Sequence, residues 1–69
     1  MKISYDKDVD ALYIEISSKK IVESEEIEED VIADYDENNN IVGIEILHCL
    51  TKNRSTIMPV VKELEGALA

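Results

Sequence analysis

The chain of 69 residues has little of what usually staples a small domain or breaks up its secondary structure. It holds one cysteine, one proline, two glycines, and no tryptophan or phenylalanine. A single cysteine excludes an internal disulfide, and Cys49 with His48 supplies only two of the four ligands of a structural zinc site. A lone cysteine also fits a reducing compartment. Because a domain this short buries only about 60% of its unfolded surface, self-association or a partner is the expected supplement.

Basic residues are scarce as well. The chain has 16 acidic and 7 basic residues and a formal net charge of −9. Residues 1–47 hold 14 acids and 4 bases, whereas residues 48–69 hold 2 acids and 3 bases. Such a surface repels phosphate backbones, so we expect no direct nucleic-acid binding. It would instead attract a basic protein partner.

Long apolar runs are absent too. No segment approaches the roughly 18 apolar residues of a membrane span, and the residues after Met1 do not resemble a signal peptide. We therefore expect a cytoplasmic protein that does not associate with a membrane.

The most informative feature present is an internal repeat. Residues 5–16 align without a gap with residues 35–46, at an offset of 30, and five of the twelve positions are identical. Each copy alternates apolar and polar residues on both sides of a polar turn, which predicts a β-hairpin. Because 30 is an even number, both copies place their apolar residues on the same face of a sheet.

The sequence thus predicts one α+β domain, an antiparallel β-meander of two repeated hairpins (four to five strands) followed by one C-terminal helix. In chain order the predicted segments are hairpin 2–17, acidic connection 18–30, hairpin 31–48, linker 49–56 and helix 57–68. Within the connection we expect a short edge strand near 21–25, followed by exposed chain.

The start of the helix is predicted from its capping residues. Pro59 is tolerated only in a first turn, which places the start near 57–59, with Ser55 or Thr56 as N-cap.

The second face of the predicted sheet mixes apolar and acidic residues, so we expect the tail, a second copy or a partner to cover it. Gly43 lies inside a strand, which predicts that a bulky group, the helix or Tyr13 itself, packs over it. The helix carries an apolar stripe. The interface candidates from the sheet and this stripe are Tyr13, Gly43, Leu47, Val61, Leu64 and Leu68.

The alternating carboxylates of residues 6–10 resemble the beginning of a calcium loop. Such a loop needs glycine at its sixth position and glutamate at its twelfth, where this chain has Ala11 and Ser17. Turn formation is the more ordinary role of these aspartates. We assign no metal site and no cofactor, and the weak metal candidates are Asp6, Asp8, Asp10 and Asp36.

Two residue pairs suggest catalysis only weakly. His48 and Cys49 are neighbours, and on an extended strand their side chains diverge, which disfavours a catalytic dyad. Glu15 and Glu45 are equivalent in the repeat. They would serve as an acid–base pair, or as outward charges that protect the sheet from edge pairing.

Three strings carry a family resemblance: Tyr5-Asp6 with Asp10-Ala11-Leu12-Tyr13-Ile14, then Asp34-Tyr35-Asp36, then Ile41-Val42-Gly43-Ile44-Glu45-Ile46-Leu47. Together they resemble the domain-of-unknown-function family 2283, a family of small prokaryotic proteins, over roughly residues 3–48. The resemblance implies a compact α+β domain and no established activity. Some relatives look like partners of small toxin-like proteins, which implies an antitoxin role as one alternative.

Two positions depart from the family's pattern. Asn39 or Asn40 stands where the family often has glycine, and His48-Cys49-Leu50 replaces its usual acidic-Ala-Ser segment. Nothing about that end of the hairpin is therefore carried over.

We expect a non-enzymatic protein-interaction module that forms a homodimer through the helix or the mixed face. One alternative is an antitoxin-like neutraliser of a basic protein. Its docking residues would be Glu23, Glu25, Glu26, Glu28, Glu29 and Asp30. Another alternative is a carboxylate-based metal-binding protein or enzyme.

Overall fold

The computed structural model describes residues 1–68; the side chains of Leu64, Glu65, Ala67 and Leu68, and all of Ala69, lie outside the described part. The elements in chain order are β1 Lys2–Asp6, β2 Ala11–Glu15, β3 Glu23–Glu28, β4 Val31–Tyr35, β5 Ile41–Ile46 and α1 Arg54–Leu68.

The five strands form one antiparallel sheet in the order β1-β2-β5-β4-β3. This meander-like sheet with one C-terminal helix confirms the predicted α+β class. The spatial order of the strands differs from their order in the chain because the connection after β2, residues 16–22, does not lead to a neighbouring strand. It runs along one end of the sheet to the edge strand β3. This connection is held by hydrogen bonds from the amides of Ile16 and Ser17 to the Val42 carbonyl, and from Val22 to the Tyr35 carbonyl.

The two repeated hairpins are related by an approximate two-fold axis. At the centre of the sheet Ile14 of β2 pairs with Ile44 of β5, and these residues are equivalent in the repeat. The outer strands keep the same relation, since Ile3 pairs with Ile14 and Ala33 pairs with Ile44. The repeat therefore defines both hairpins and the axis between them, which lies perpendicular to the sheet.

Several turns use left-handed backbone that asparagine, aspartate and histidine adopt more readily than most residues. Asn39 has φ 64° in the β4–β5 turn, in agreement with the predicted asparagine turn. Asp10 and Asp30 have φ 53° and 65° at the ends of the β1–β2 and β3–β4 turns, and His48 has φ 50° after β5.

The hydrophobic core lies between α1 and one face of the sheet, here called the helix face. Its buried cluster comprises Leu12, Ile14, Ile46, Cys49 and Ile57. Partly buried side chains pack around this cluster, namely Ile3, Ile44, Leu50 and Val61. The opposite face, here called the open face, carries Ala11, Tyr13, Glu15, Ile32, Asp34, Gly43 and Glu45.

The acidic connection was predicted wrongly in part. The edge strand spans Glu23–Glu28 rather than 21–25, so chain expected to be an exposed connection is strand. Pairing with β4 gives this segment backbone hydrogen bonds, with Glu25 opposite Ala33. All six residues are exposed, and in water the repulsion between their charges is weak enough for the strand to form.

The helix start was also predicted wrongly. The helix begins at Arg54, inside the predicted linker, because Asn53 takes the N-cap position instead of Ser55 or Thr56. The Asn53 carbonyl accepts a 2.9 Å hydrogen bond from the Ile57 amide. Its side-chain amide donates to the Leu47 carbonyl at 3.2 Å and to Asp30 at 3.3 Å. These two contacts, of which only that to Asp30 is distant in sequence, hold Asn53 in place, and Pro59 lies inside the helix.

Among the described residues, no helix combines the length and the apolarity needed to cross a bilayer.

Candidate interaction surfaces

The open face has a polar chain of side chains at its centre. The Tyr13 hydroxyl donates a 2.8 Å hydrogen bond to one carboxylate oxygen of Asp34, and the Ser24 hydroxyl donates a 2.6 Å bond to the other. Asp34 is only 9% exposed. These contacts link β2, β4 and β3 across the intervening β5, so the Asp34 carboxylate is buried with both oxygens paired.

Gly43 is what allows Tyr13 to reach across β5. A Cβ at this position would lie 2.6 Å from Cζ of Tyr13, and closer still to its hydroxyl. The bulky group predicted over Gly43 is therefore Tyr13 and not the helix. Burial, followed by the bond to the Asp34 carboxylate, raises the pKa of Tyr13 to about 12. Tyr13 is thus a neutral donor to Asp34 throughout the physiological range.

Glu15 and Glu45 lie on the open face next to the two-fold axis. Glu15 pairs with Gly43, and Glu45 pairs with Tyr13, on the two central strands; both are half-buried. Since β2 and β5 each have a neighbour on both sides, these charges cannot protect a sheet edge, contrary to that part of the prediction. These two glutamates place negative charge near the centre of the open face.

The edge strand β3 carries the exposed acidic residues. Glu23, Glu25, Glu26 and Glu28 are all exposed along it. The other two docking candidates, Glu29 and Asp30, form ion pairs with a lysine of the same chain. Lys52 contacts Glu29 at 2.7 Å and Asp30 at 3.4 Å. Glu29 is nevertheless 80% exposed, so of the six docking candidates the Asp30 side chain, at 12% exposure, is the one withdrawn from a partner.

Asp10 and the loop after β5 meet at one end of the sheet. The Asp10 carboxylate accepts hydrogen bonds from the Tyr5 hydroxyl at 2.6 Å, the Leu50 amide at 2.9 Å, and the Thr51 amide and hydroxyl at 3.1 and 2.8 Å. The backbone carbonyl of Asp10 accepts a further bond from the Cys49 amide at 3.0 Å. Asp10 thereby joins the first hairpin to the segment that leads into α1.

These hydrogen bonds shift two pKa values in opposite directions. The Tyr5 hydroxyl and then the Leu50 amide hold the pKa of Asp10 well below its usual 3.8. The same bond to Asp10 raises the pKa of Tyr5 to about 12. The carboxylate is thus ionised and its oxygens are occupied by donors of the protein.

Asp30 has a similar role in the β3–β4 turn. Its carboxylate lies 3.1 Å from Nδ1 of His48 and accepts the side-chain amide of Asn53 at 3.3 Å. Its backbone carbonyl accepts a 2.8 Å bond from the Leu47 amide. The contact with His48 is the main cause that lowers the pKa of Asp30.

The weak metal candidates are not brought together. Asp6 accepts a 2.9 Å bond from the Asp8 amide, and Asp36 accepts bonds from the amides of Asn38 and Asn40, at 2.9 and 3.0 Å. Asp36 belongs to the second hairpin, and Asp10 is occupied as described above. In the part of the chain that the structure describes, no three metal-binding side chains form a group. The predicted turn role is seen for Asp6 and Asp36, whose carboxylates accept turn amides, whereas the Asp10 carboxylate binds the segment before α1.

His48 and Cys49 diverge as predicted, although His48 lies in a turn and not on a strand. The His48 side chain is 61% exposed beside Asp30, whereas Cys49 is 2% exposed in the core. Burial raises the pKa of the Cys49 thiol. The two residues therefore form no dyad.

The remaining interface candidates have mixed placements. Val61 packs against the core of its own chain, and Leu47 is half-buried beside the β3–β4 turn. The side chains of Leu64 and Leu68 lie outside the described residues, so the predicted helix interface rests on positions without described contacts. Sequence reasoning had no signal for a pocket of about 220 Å³ at the end of the sheet near the connection 16–22. It is lined by Lys19, Lys20, Val22, Asp36, Glu37 and Asn38.

Comparison with known proteins identifies the family. No curated protein and no solved structure matches the chain. One family model, described as "Protein of unknown function (DUF2283)", matches residues 2–49, which include all five strands and stop before α1. That match covers more than half of the chain and confirms the resemblance carried by the repeated strings. The chain therefore belongs to the protein family of unknown function DUF2283.

Proposed function

We propose that this protein is a non-enzymatic protein-interaction module that forms a homodimer. The observation that carries the proposal is the layout of the sheet. Among the described residues, α1 packs on one face only, so the open face is left without a covering helix, and β1 and β3 are edge strands. Edge strands present unpaired backbone amides and carbonyls, which are a template for association.

The chemistry of the described residues supports an interaction role better than catalysis. The carboxylates that are withdrawn from water, those of Asp34 and Asp36, accept hydrogen bonds from hydroxyls or turn amides of the chain. The single histidine and single cysteine point in different directions, as described above. Small domains often gain from oligomerisation the stability that their core does not supply.

A denaturation series at different protein concentrations tests the homodimer. Urea unfolding is followed by far-ultraviolet circular dichroism at concentrations spanning at least two decades. For a dimer that dissociates on unfolding, mass action raises the midpoint as the concentration rises. A midpoint that does not depend on concentration, together with a monomeric mass, would contradict the homodimer.

A second candidate function is the binding and neutralising of a basic protein, an antitoxin-like role. The observation that favours it is the row of four exposed glutamates on β3, in a chain with net charge −9. Like-signed rows of this kind raise association rates with oppositely charged partners.

A pull-down from native cell extract tests this second candidate. The tagged protein is compared at low and high salt with a variant in which Glu25 and Glu26 are both replaced by glutamine. A stoichiometric basic protein, lost at high salt and weakened by the variant, is expected, since salt screens exposed charges beyond about 10 Å at 0.1 M. A retained protein that is insensitive to both salt and the variant would argue against docking on β3.

A further inference from the structure

The two edges of the sheet differ in their ability to pair with a second copy. β3 carries glutamate at four of its six positions, 23, 25, 26 and 28. If two β3 strands paired antiparallel about any residue of the strand, at least one glutamate would lie directly opposite another glutamate. Like charges in directly opposed positions destabilise a pair of strands. β3 is therefore protected against joining its own copy.

The other edge, β1, is self-complementary. Its five residues are Lys-Ile-Ser-Tyr-Asp, with the base at one end and the acid at the other. Antiparallel pairing about Ser4 places Lys2 opposite Asp6 of the second copy and Ile3 opposite Tyr5 of the second copy. All charges are then matched, and the apolar side chains face each other on the helix face.

The exposure of β1 fits this arrangement. Four of its five residues are exposed, including Tyr5 at 41%, while Ile3 is half-buried and already packs against the core cluster. A second β1 would bury Tyr5 and extend the hydrophobic core of each copy toward the other.

We propose that two copies associate through β1, antiparallel about Ser4, to form one continuous ten-stranded sheet. This inference rests on the proposed homodimer and specifies its surface. The two-fold axis runs perpendicular to the sheet at Ser4, so both α1 helices lie on the same side. The open face and the glutamates of β3 stay free on both copies for a further partner.

The open face and the helix fit a dimer interface less well than β1 does. A second copy laid on the open face would bring the half-buried Glu15 and Glu45 of both copies into one interface. Unpaired charges of one sign are costly when they are removed from water. On the helix, Ile57 and Val61 already pack against their own sheet.

Charge reversal tests the register. In a Lys2→Glu dimer both terminal pairs become acid against acid, and in an Asp6→Lys dimer both become base against base. Each variant alone is expected to dimerise about tenfold more weakly than the wild type, from the summed effect of two reversed pairs. When the two variants are mixed, one chain of each carries opposite charges at both ends of the paired strands, so a heterodimer of wild-type affinity is expected.

Mixing also separates the proposal from effects inside one chain. Lys2 pairs with Glu15 in its own hairpin, and Asp6 caps the Asp8 amide, so either change alters the monomer slightly. Such damage would not be repaired by the other variant. Sedimentation velocity of each variant and of their equimolar mixture gives the result, with Glu25→Lys on β3 as the control that should dimerise at least as well as the wild type.

A cross-link provides the second readout. Residues directly opposite in antiparallel strands have Cα atoms about 4.5–5.5 Å apart, within the range that a disulfide spans. Ser4→Cys is expected to give a disulfide-linked dimer on mild oxidation, with the bond mapped to residue 4 by mass spectrometry. Glu25→Cys on β3 is the matched control and is expected to remain unlinked.

The outcomes separate the two proposals. A wild-type chain that is monomeric at every concentration overturns the homodimer and this inference together. A wild-type dimer that is unaffected by Lys2→Glu and Asp6→Lys, or that forms no link at position 4, overturns the β1 interface and leaves the homodimer standing.

Discussion

The contact between Tyr13 and Gly43 makes one prediction that is specific to this structure. Replacing Gly43 with alanine places a Cβ 2.6 Å from Cζ of Tyr13, far inside van der Waals contact. The tyrosine ring must therefore move away from β5 and give up its 2.8 Å hydrogen bond to Asp34. Asp34 is left buried with one donor, Ser24, instead of two.

The expected magnitude follows from three contributions. A hydrogen bond to a charged group contributes about 1.5–3 kcal/mol. Alanine in place of glycine within a strand returns about 0.5–1 kcal/mol of backbone entropy. The new Cβ also lies 3.1 Å from the Ile14 carbonyl oxygen, a tight contact that offsets part of that return. Gly43→Ala should therefore lower the free energy of unfolding by about 1–2 kcal/mol.

A double-mutant cycle isolates the contact. The cycle combines Gly43→Ala with Tyr13→Leu, whose side chain is apolar and too short to reach Asp34. In the Tyr13→Leu background, Gly43→Ala should change the free energy of unfolding by close to zero, so the coupling between the two positions is about 1–2 kcal/mol. Urea unfolding at fixed protein concentration measures all four proteins. Equal losses in both backgrounds, or a stabilised Gly43→Ala single variant, would refute the placement of Tyr13 over Gly43.

Three further predictions concern the acidic turns and the helix. The pKa of Asp10 is lower in the folded chain than its usual 3.8, so the ionised carboxylate stabilises the fold above about pH 4, and this stabilisation is lost as the pH falls below that value. Asp10→Asn should therefore reduce the fall in the urea midpoint between pH 5 and pH 2. An unchanged dependence of the midpoint on pH would contradict this role. Calcium or manganese should leave the melting temperature unchanged, because the Asp10 oxygens already accept hydrogen bonds from the protein. A melting temperature that rises with metal concentration would support the metal-binding alternative. Ile57→Ala, at a core position that is 8% exposed, should lower the free energy of unfolding by about 2–4 kcal/mol in urea denaturation, whereas Val60→Ala, at 46% exposure, should lower it by less than about 0.5 kcal/mol. Similar losses at both positions would mean that α1 does not pack on the sheet through Ile57.

The repeat predicted the hairpins well because its information is local. Alternation of apolar residues and the polar turns specify two strands each, and the even offset specifies a shared face. The strand order needed more, because a repeat does not say which strands of its two copies meet. The pairing of Ile14 with Ile44 is a contact between residues far apart in the chain, and it places β2 beside β5.

The contacts that local patterns could not predict are those made by single polar side chains over long distances. Asp10 reads as a turn residue, yet its carboxylate bonds to Leu50 and Thr51, some 40 positions away. Asn53 reads as linker, yet its contact with Asp30 fixes the start of the helix. In contrast, the absence of a side chain at Gly43 was a local signal, and it correctly indicated a close approach.

The sequence indicated which residues form the acidic surface, but it did not indicate which strands lie at the edges of the sheet. The four glutamates of β3 were identified as an acidic docking segment, and they are exposed as that role requires. The self-complementary edge was missed, because whether β1 is an edge or a central strand depends on the sheet order. Once β1 is known to be an edge strand, its five residues are enough to show the matched charges.

The central claim, that this chain forms a homodimer, is tested most directly by sedimentation equilibrium of the wild-type protein over a range of micromolar concentrations. The account predicts a mass of about twice the 7.8 kDa of one chain, decreasing toward the monomer on dilution. A single mass of 7.8 kDa at every concentration would contradict it.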